Sequence, residues 1–270
     1  MVKLYVWLFI FFSFRAQAAV PKCAIFLVPG AFSERSTGAL LFLNAKDYFK
    51  DYLDTFAQWG CVTGVAKLPV DSSIEAQALA LRNQVAYFAE QSGVKSVTLF
   101  AHSQGALDAR YALHDLGLNK TVTALVSIGS PNDGTPLANW AVEQVKNKTF
   151  FYYSLKWIGS YDLKSLSFLG EMEPGFIESH AVHFSQVPGI HYASARGVCN
   201  LHCHWVFRLL EKLTVHVSPG DGVVPASSQS FGEDLGDYDL DHITEVSSDP
   251  VTHSERMRFL ERAEPILLSR

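Results

Sequence analysis

Short apolar runs alternate along this chain with longer stretches whose apolar residues recur every three or four positions. Residues 24–28, 62–68, 94–101 and 122–128 are rich in Val, Ile, Leu, Phe and Ala, and breakers follow three of them: Pro29-Gly30, Pro69 and Gly129-Ser130-Pro131. Runs of this length, so bounded, predict buried strands. Between them, residues 40–59 carry helical spacing up to Gly60, residues 74–90 align Ala78, Leu81, Val85 and Phe88, and residues 103–116 continue helically from the third run. Strands alternating with helices of this length predict a mostly parallel sheet covered by helices on both faces. The rhythm breaks over residues 137–185, which show no clear strand and many aromatics, among them Trp140, Phe150, Phe151, Tyr152, Tyr153 and Trp157. That stretch predicts a helical lid or cap inserted over the sheet rather than a domain of its own. Residues 190–195 read as a further strand, and residues 253–268 fit a final amphipathic helix.

The N-terminus changes the picture. Lys3 precedes an apolar run over residues 4–14, and Ala16-Gln17-Ala18 offers a small-x-small cleavage site. This predicts a signal peptide over residues 1–18, cut after Ala18, with the product secreted or periplasmic. The run is shorter than the ~20 apolar residues of a membrane span. Residues 19–270 suffice for one large α/β domain. A formal charge of −5 without a basic tract gives no reason to expect nucleic acid as a partner.

Four cysteines in an exported chain are expected to form two disulfides. Of the three pairings, Cys23–Cys61 and Cys199–Cys203 are favoured. Cys23 and Cys61 each open a strand-like run, and such strands would start side by side at one sheet edge. Cys199 and Cys203 are four apart, a spacing that one helical turn bridges only with distortion. A zinc reading of His202-Cys203-His204, with His191 as helper, loses its sulfur ligand to that pairing. No metal and no cofactor are expected. The sequons at Asn119 and Asn147 matter only in a glycosylating host.

The chemistry concentrates at Ser96-Val-Thr-Leu-Phe-Ala-His-Ser-Gln-Gly105, an apolar run that ends at His102-Ser103-Gln104-Gly105 and passes straight into a helix. Strand, serine, helix is the layout of a nucleophile elbow, whose sharp turn lifts the hydroxyl out of the sheet. Ala101 and Gly105 supply the small residues required where strand and helix backbones nearly touch. A serine hydroxyl needs a base to take its proton. Acid candidates downstream are Asp133, Asp162, Asp221, Asp237, Asp239, Asp241 and Asp249. Asp221 has the better surroundings, between glycines in a turn over residues 219–225, although a turn carboxylate can also simply bond its own backbone. For the base, His242 lies in a loop about twenty residues later, with His253 as its competitor.

Two stretches make a resemblance specific: His102-Ser-Gln-Gly-Ala-Leu-Asp-Ala-Arg-Tyr111 and Ser127-Ile-Gly-Ser-Pro-Asn-Asp-Gly-Thr-Pro-Leu-Ala138. With Asp221-Gly-Val-Val224 and Asp241-His-Ile-Thr-Glu-Val246, the chain resembles the bacterial secreted triacylglycerol lipases of the pseudomonad type, from about residue 24 to the last helix. The resemblance implies an α/β-hydrolase fold and ester hydrolysis through Ser103, Asp221 and His242. It also implies an oxyanion hole of backbone N–H groups from Gln104 and from Ala31, with Phe32 as the fallback. A lipid or other ester would be the substrate. Transient contact with a lipid interface and a folding helper are the partners to test, and the oligomeric state stays open. Pro29 replaces a family histidine, the cysteines differ, and Thr244 and Ser248 stand at family calcium-ligand positions, so no such calcium site is expected. The same triad would serve a short-chain carboxylesterase, an acyltransferase or a polyester depolymerase.

Overall fold

The computed structural model describes residues 21–31, 47–69, 72–149, 163–213 and 219–269. The signal-peptide segment, Phe32, Asp162 and the aromatics Phe150, Phe151, Tyr152, Tyr153 and Trp157 lie outside these residues.

Six strands form one parallel sheet: β1 Cys23–Val28, β2 Cys61–Val65, β3 Val97–His102, β4 Val122–Ile128, β5 His191–Gly197 and β6 Glu233–Tyr238. Their spatial order is β2-β1-β3-β4-β5-β6. The helices are α1 Lys50–Trp59, α2 Ile74–Ser92, α3 Gln104–Asp115, α4 Pro136–Lys146, α5 Pro174–Ser179, α6 Trp205–Leu213, α7 Ala226–Gln229 and α8 His253–Leu267. Together they make an α/β-hydrolase fold.

Alternation along β1 explains the two-faced core. Ile25 and Leu27 join Tyr52 and Phe56 of α1 and Phe259 of α8 on one face, with Phe100 of β3 among them. Ala24, Phe26 and Val28 meet Ala78, Leu81 and Val85 of α2 and Ala106 and Ala109 of α3 on the other. Period-2 side-chain alternation in a strand covered on both sides demands apolar residues at every position, and β1 and β3 are buried throughout. Burying each large apolar side chain contributes roughly 1.5–3 kcal/mol.

The expected α/β order is present, with three differences. Of the helix expected over residues 40–59, residues 40–46 lie outside the described residues, and the described part is helical from Lys50, after Asp47 and Phe49 at left-handed φ values of 67° and 65°. The strand expected over 62–68 is confined to Cys61–Val65, and the one over 94–101 runs Val97–His102. Sequence reading missed β6, whose Glu-Asp-Leu-Gly-Asp-Tyr buries only Leu235 and Tyr238. It is an edge strand held by Arg196 of β5, which pairs with Asp234 at 3.0 Å and Asp237 at 2.5 Å, and charge substitutes there for apolar patterning.

Disulfides join Cys23 to Cys61 and Cys199 to Cys203. Cys23 and Cys61 are direct partners in the β1–β2 register, the side-by-side start expected from sequence. The second pair closes a loop before α6 rather than a helical turn, which removes the distortion argument. His202 beside it pairs with Asp239, and His191 with Glu233.

The described residues of 136–185 hold α4, a 3-10 segment over Leu163–Met172, α5 and a 3-10 turn over Ala181–Phe184, with no strand among them. Thr135 caps α4, its hydroxyl accepting the Leu137 N–H at 3.2 Å, with Pro136 in the first turn. Phe168, Met172, Ile177 and Phe184 pack on Leu107 of α3 and Ile74 of α2.

Candidate active site

Ser103 connects β3 to α3 at φ 54°, ψ −134°, a strained conformation for a residue bearing a Cβ. Surrounding backbone enforces it. A Cβ at Gly105 would lie 2.5 Å from the Pro29 carbonyl oxygen and 2.6 Å from that of Val28. Ala101 is fully buried and lies beside Val28 and Ser127 in register. A Cβ at Gly30 would come within 2.7 Å of the Ser103 Cβ, so the loop after β1 passes against the serine.

His242 approaches from the other side. Its Nε2 lies 2.9 Å from Ser103 Oγ, and its Nδ1 lies 2.8 Å from Asp221 Oδ2. Asp221 is completely buried, and its other oxygen accepts the N–H groups of Val223 at 2.8 Å and Val224 at 2.7 Å. Asp221 thus bonds its own turn through one oxygen and the imidazole through the other. Gly222, at φ 88°, fits under Phe207 of α6, where a Cβ would come within 2.4 Å of the Phe207 Cβ.

The other candidates lie elsewhere. His253 opens α8 and bonds Asp51 at 2.9 Å. Asp237 pairs with Arg196, and Asp239 accepts backbone N–H groups of Asn200 and Leu201. Asp133 offers its backbone N–H to Ser228 Oγ, and the Asp249 carboxylate accepts from Val251 N–H and Thr252 Oγ. Asp241 organises the histidine turn, accepting N–H bonds from Ile243, Thr244 and His204 at 2.8–3.1 Å.

A buried cation secures the loop that carries His242. Arg256 of α8, with no exposed surface, donates to the carbonyls of Thr244 (2.9 Å) and Asp249 (2.6 Å), the Thr252 hydroxyl (2.6 Å) and Asp51 (2.7 and 3.0 Å). Although partial burial pushes the Asp51 carboxyl up, hydrogen bonds from His253 and Arg256 bring it below its ordinary value. Thr244 and Ser248 bond Asp241 and Asp47.

Sequence reasoning gave no role to three residues behind the serine. The Glu245 carboxyl sits where Cβ atoms at Gly129 or Gly197 would come within 1.9–2.0 Å of it. Its Oε2 lies 2.9 Å from His102 Nε2 and 3.7 Å from His242 Nδ1. His102 Nδ1 lies 2.6 Å from the Tyr48 hydroxyl, which accepts the Gly30 N–H at 3.0 Å. Burial pushes the Glu245 carboxyl well up, and repulsion from Asp221 adds to it. Burial also holds His102 well below the usual imidazole range, with His242 contributing, and it pushes the Tyr48 phenol far up. All three shifts favour the uncharged forms, and in that state Tyr48 O–H can donate to His102 Nδ1 and His102 Nε2–H to Glu245. The network uses the Gly30 N–H, which leaves Ala31 as the next N–H of that loop. Gln104 opens α3, so its N–H has no partner within the helix. The available signal for Glu245 was its place three residues after His242.

Comparison with known proteins gives a consistent picture. No family model matches the sequence. Triacylglycerol lipase 2 of Saccharomyces cerevisiae is 26% identical over 199 residues, 70% of this chain and 58% of that protein, so the match spans little more than half of the relative. Among solved structures, the mature lipase of Bacillus licheniformis superposes with a TM-score of 0.65 at 16% identity, covering 93% of both chains. A metagenomic carboxyl esterase superposes with a TM-score of 0.67 at 20% identity, covering 92% of this chain and 76% of its own.

Proposed function

We propose that this chain is a serine hydrolase of carboxylic esters, with Ser103 as nucleophile, His242 as general base and acid, and Asp221 as the carboxylate that orients the imidazole. The observation that carries this reading is the unbroken sequence of contacts Ser103 Oγ–His242 Nε2–His242 Nδ1–Asp221 Oδ2, at 2.9 and 2.8 Å. Similarity to proteins named lipases and esterases supports the same class.

In this reading His242 Nε2 takes the hydroxyl proton as Ser103 Oγ attacks the ester carbonyl. The tetrahedral oxyanion accepts N–H bonds from Gln104 and Ala31, each worth about 3 kcal/mol of transition-state stabilisation. His242 returns the proton to the departing alkoxide, freeing the alcohol and leaving an acyl-enzyme. Water, deprotonated by the same imidazole, attacks the acyl carbonyl and releases the acid. Asp221 holds Nδ1–H throughout and stabilises the imidazolium.

The finer reading is a triacylglycerol lipase of the pseudomonad type, secreted or periplasmic after loss of residues 1–18. Two disulfides fit an oxidising compartment, and among the described residues no helix is long and apolar enough to cross a membrane. Leu201, Trp205 and Leu209 stay exposed around the start of α6, whose Phe207 covers the Asp221 turn. Apolar side chains in that position suit contact with a lipid surface. A soluble short-chain carboxylesterase uses the same contacts without the surface.

Hydrolysis of p-nitrophenyl esters from acetate to palmitate separates these readings. Ser103→Ala is expected to lower kcat on the order of 10⁴-fold or more while the protein stays folded. Activity that rises with acyl length identifies a lipase, and short-chain activity alone an esterase. Undiminished activity in the variant would overturn the proposal.

A further inference from the structure

Three titratable side chains converge far from Ser103. His114 and Asp115 end α3, and His183 lies in the 3-10 turn Ala181–Phe184 that closes the insertion. Asp115 Oδ2 is 3.0 Å from His183 Nδ1 and 3.2 Å from His114 Nδ1, and the three atoms all lie within 4.8 Å of one another. We propose that His114, Asp115 and His183 form a binding site for a divalent first-row transition metal such as zinc, one that ties the exit of the insertion to the helix of the nucleophile.

Tetrahedral zinc with bonds of about 2.1 Å places its ligand atoms ~3.4 Å apart. Two edges of that triangle already stand at 3.0 and 3.2 Å, and the third closes by rotation of side chains that are about one-third exposed. Consecutive helix residues normally diverge too far to share an ion. Here α3 ends at Asp115, and the neighbours aim at one point. Two imidazole nitrogens and one carboxylate oxygen are a borderline donor set, which selects zinc, nickel, copper or cobalt over calcium and magnesium. Water completes the coordination on the open side.

The surroundings give the ion a structural task. The His183 ring stacks on Tyr111 of α3 with centroids 5.5 Å apart. The adjacent Phe184 carbonyl accepts two bonds from the Arg110 guanidinium. One short turn thus meets α3 at a permanent cation, Arg110, and beside it at a conditional one. At 1.5 Å rise per residue the last turn of α3 is ~16 Å from the serine, so the ion stiffens the attachment of the insertion and takes no part in bond breaking.

Equilibrium dialysis of the purified, EDTA-treated protein against zinc, with elemental analysis and thermal melts, tests the site. One zinc per chain, a raised Tm with zinc or nickel and none with calcium are expected. Loss of an outer-shell partner already costs 10–100-fold in metal affinity, so loss of a ligand in His114→Ala or His183→Ala is expected to cost about 100-fold or more. His191→Ala, which removes a surface histidine paired with Glu233, is expected to bind as the parent does. Ester hydrolysis by all three variants is expected to stay within about twofold of the parent, which also reports correct folding. Absence of stoichiometric binding, or binding retained in both His114→Ala and His183→Ala, would overturn the proposal.

Discussion

Ser103 is held by its own backbone neighbours, whereas Asp221 and His242 are held by side chains drawn from distant parts of the chain. On the serine side, a buried strand, one strained residue and a helix suffice, with Gly30 and Gly105 clearing the space. On the acid–base side, Asp241, Arg256, Asp51 and Glu245 cooperate, with partners up to 205 residues apart in sequence. The first arrangement confines its sensitive positions to the β3–α3 turn and the loop after β1 that packs on it. The second spreads its vulnerability over α1, α6 and α8.

The sharpest break would come at the base. His242→Ala is expected to cut kcat by about 10⁴-fold, as loss of the serine does, because the pair acts as a unit. His253→Ala leaves activity within a few-fold. Kinetics of the two variants side by side would reverse the base assignment if His253 proved the sensitive one.

Arg256→Ala is next. Removing one partner of a buried ion pair costs about 3–5 kcal/mol, here with two backbone carbonyls also left unpaired. Urea denaturation is expected to register that loss, and Asp51→Ala to register part of it.

A smaller contrast separates the disulfides. In the chain-entropy account, replacing Cys23 and Cys61 by alanine costs about 4 kcal/mol for a separation of 38, and replacing Cys199 and Cys203 about 2 kcal/mol for a separation of 4. The shorter loop nonetheless braces the histidine side, since Asp239 accepts from its backbone at Asn200 and Leu201. Activity is therefore expected to fall more in the second double variant, while Tm falls more in the first.

The subtlest effect concerns Glu245. Its folded pKa is raised above the ordinary 4.5, so the stability tied to its protonated form is complete below that pH and is lost as pH rises toward the folded value. Glu245→Gln cannot ionise. The stability difference, variant minus parent, is expected to climb with pH above about 4.5 in parallel urea titrations. A flat difference would place the charge on Glu245 in the folded state.

The same contrast explains what was legible. β1, β3, α3 and the elbow are contiguous, so apolar periodicity and one motif sufficed to find them. Asp221 and His242 needed a resemblance, because a turn carboxylate and a loop histidine have no periodicity of their own. Glu245, His102 and Tyr48 went unassigned because their importance lies in burial and in contacts across 54 to 143 residues of sequence. β6 was missed because ion pairs, not apolar residues, attach it. Apolar periodicity ran through Asp47 and Phe49, where a left-handed backbone interrupts the helix before Lys50.

The strand order carries a consequence for substrate size. From β1 the chain winds outward to β2 with α1 on one face, and from β3 it winds toward β4 with α3 on the opposite face. Loops leaving neighbouring strands in opposite directions open a crevice without disturbing the sheet. The Gly30–Ala31 loop and the start of α3 lie on the two sides of that switch in winding direction, with Gly30 packed against Ser103. If Ser103 hydrolyses esters as proposed, remodelling either side would change which acyl groups fit while the sheet beneath stays fixed.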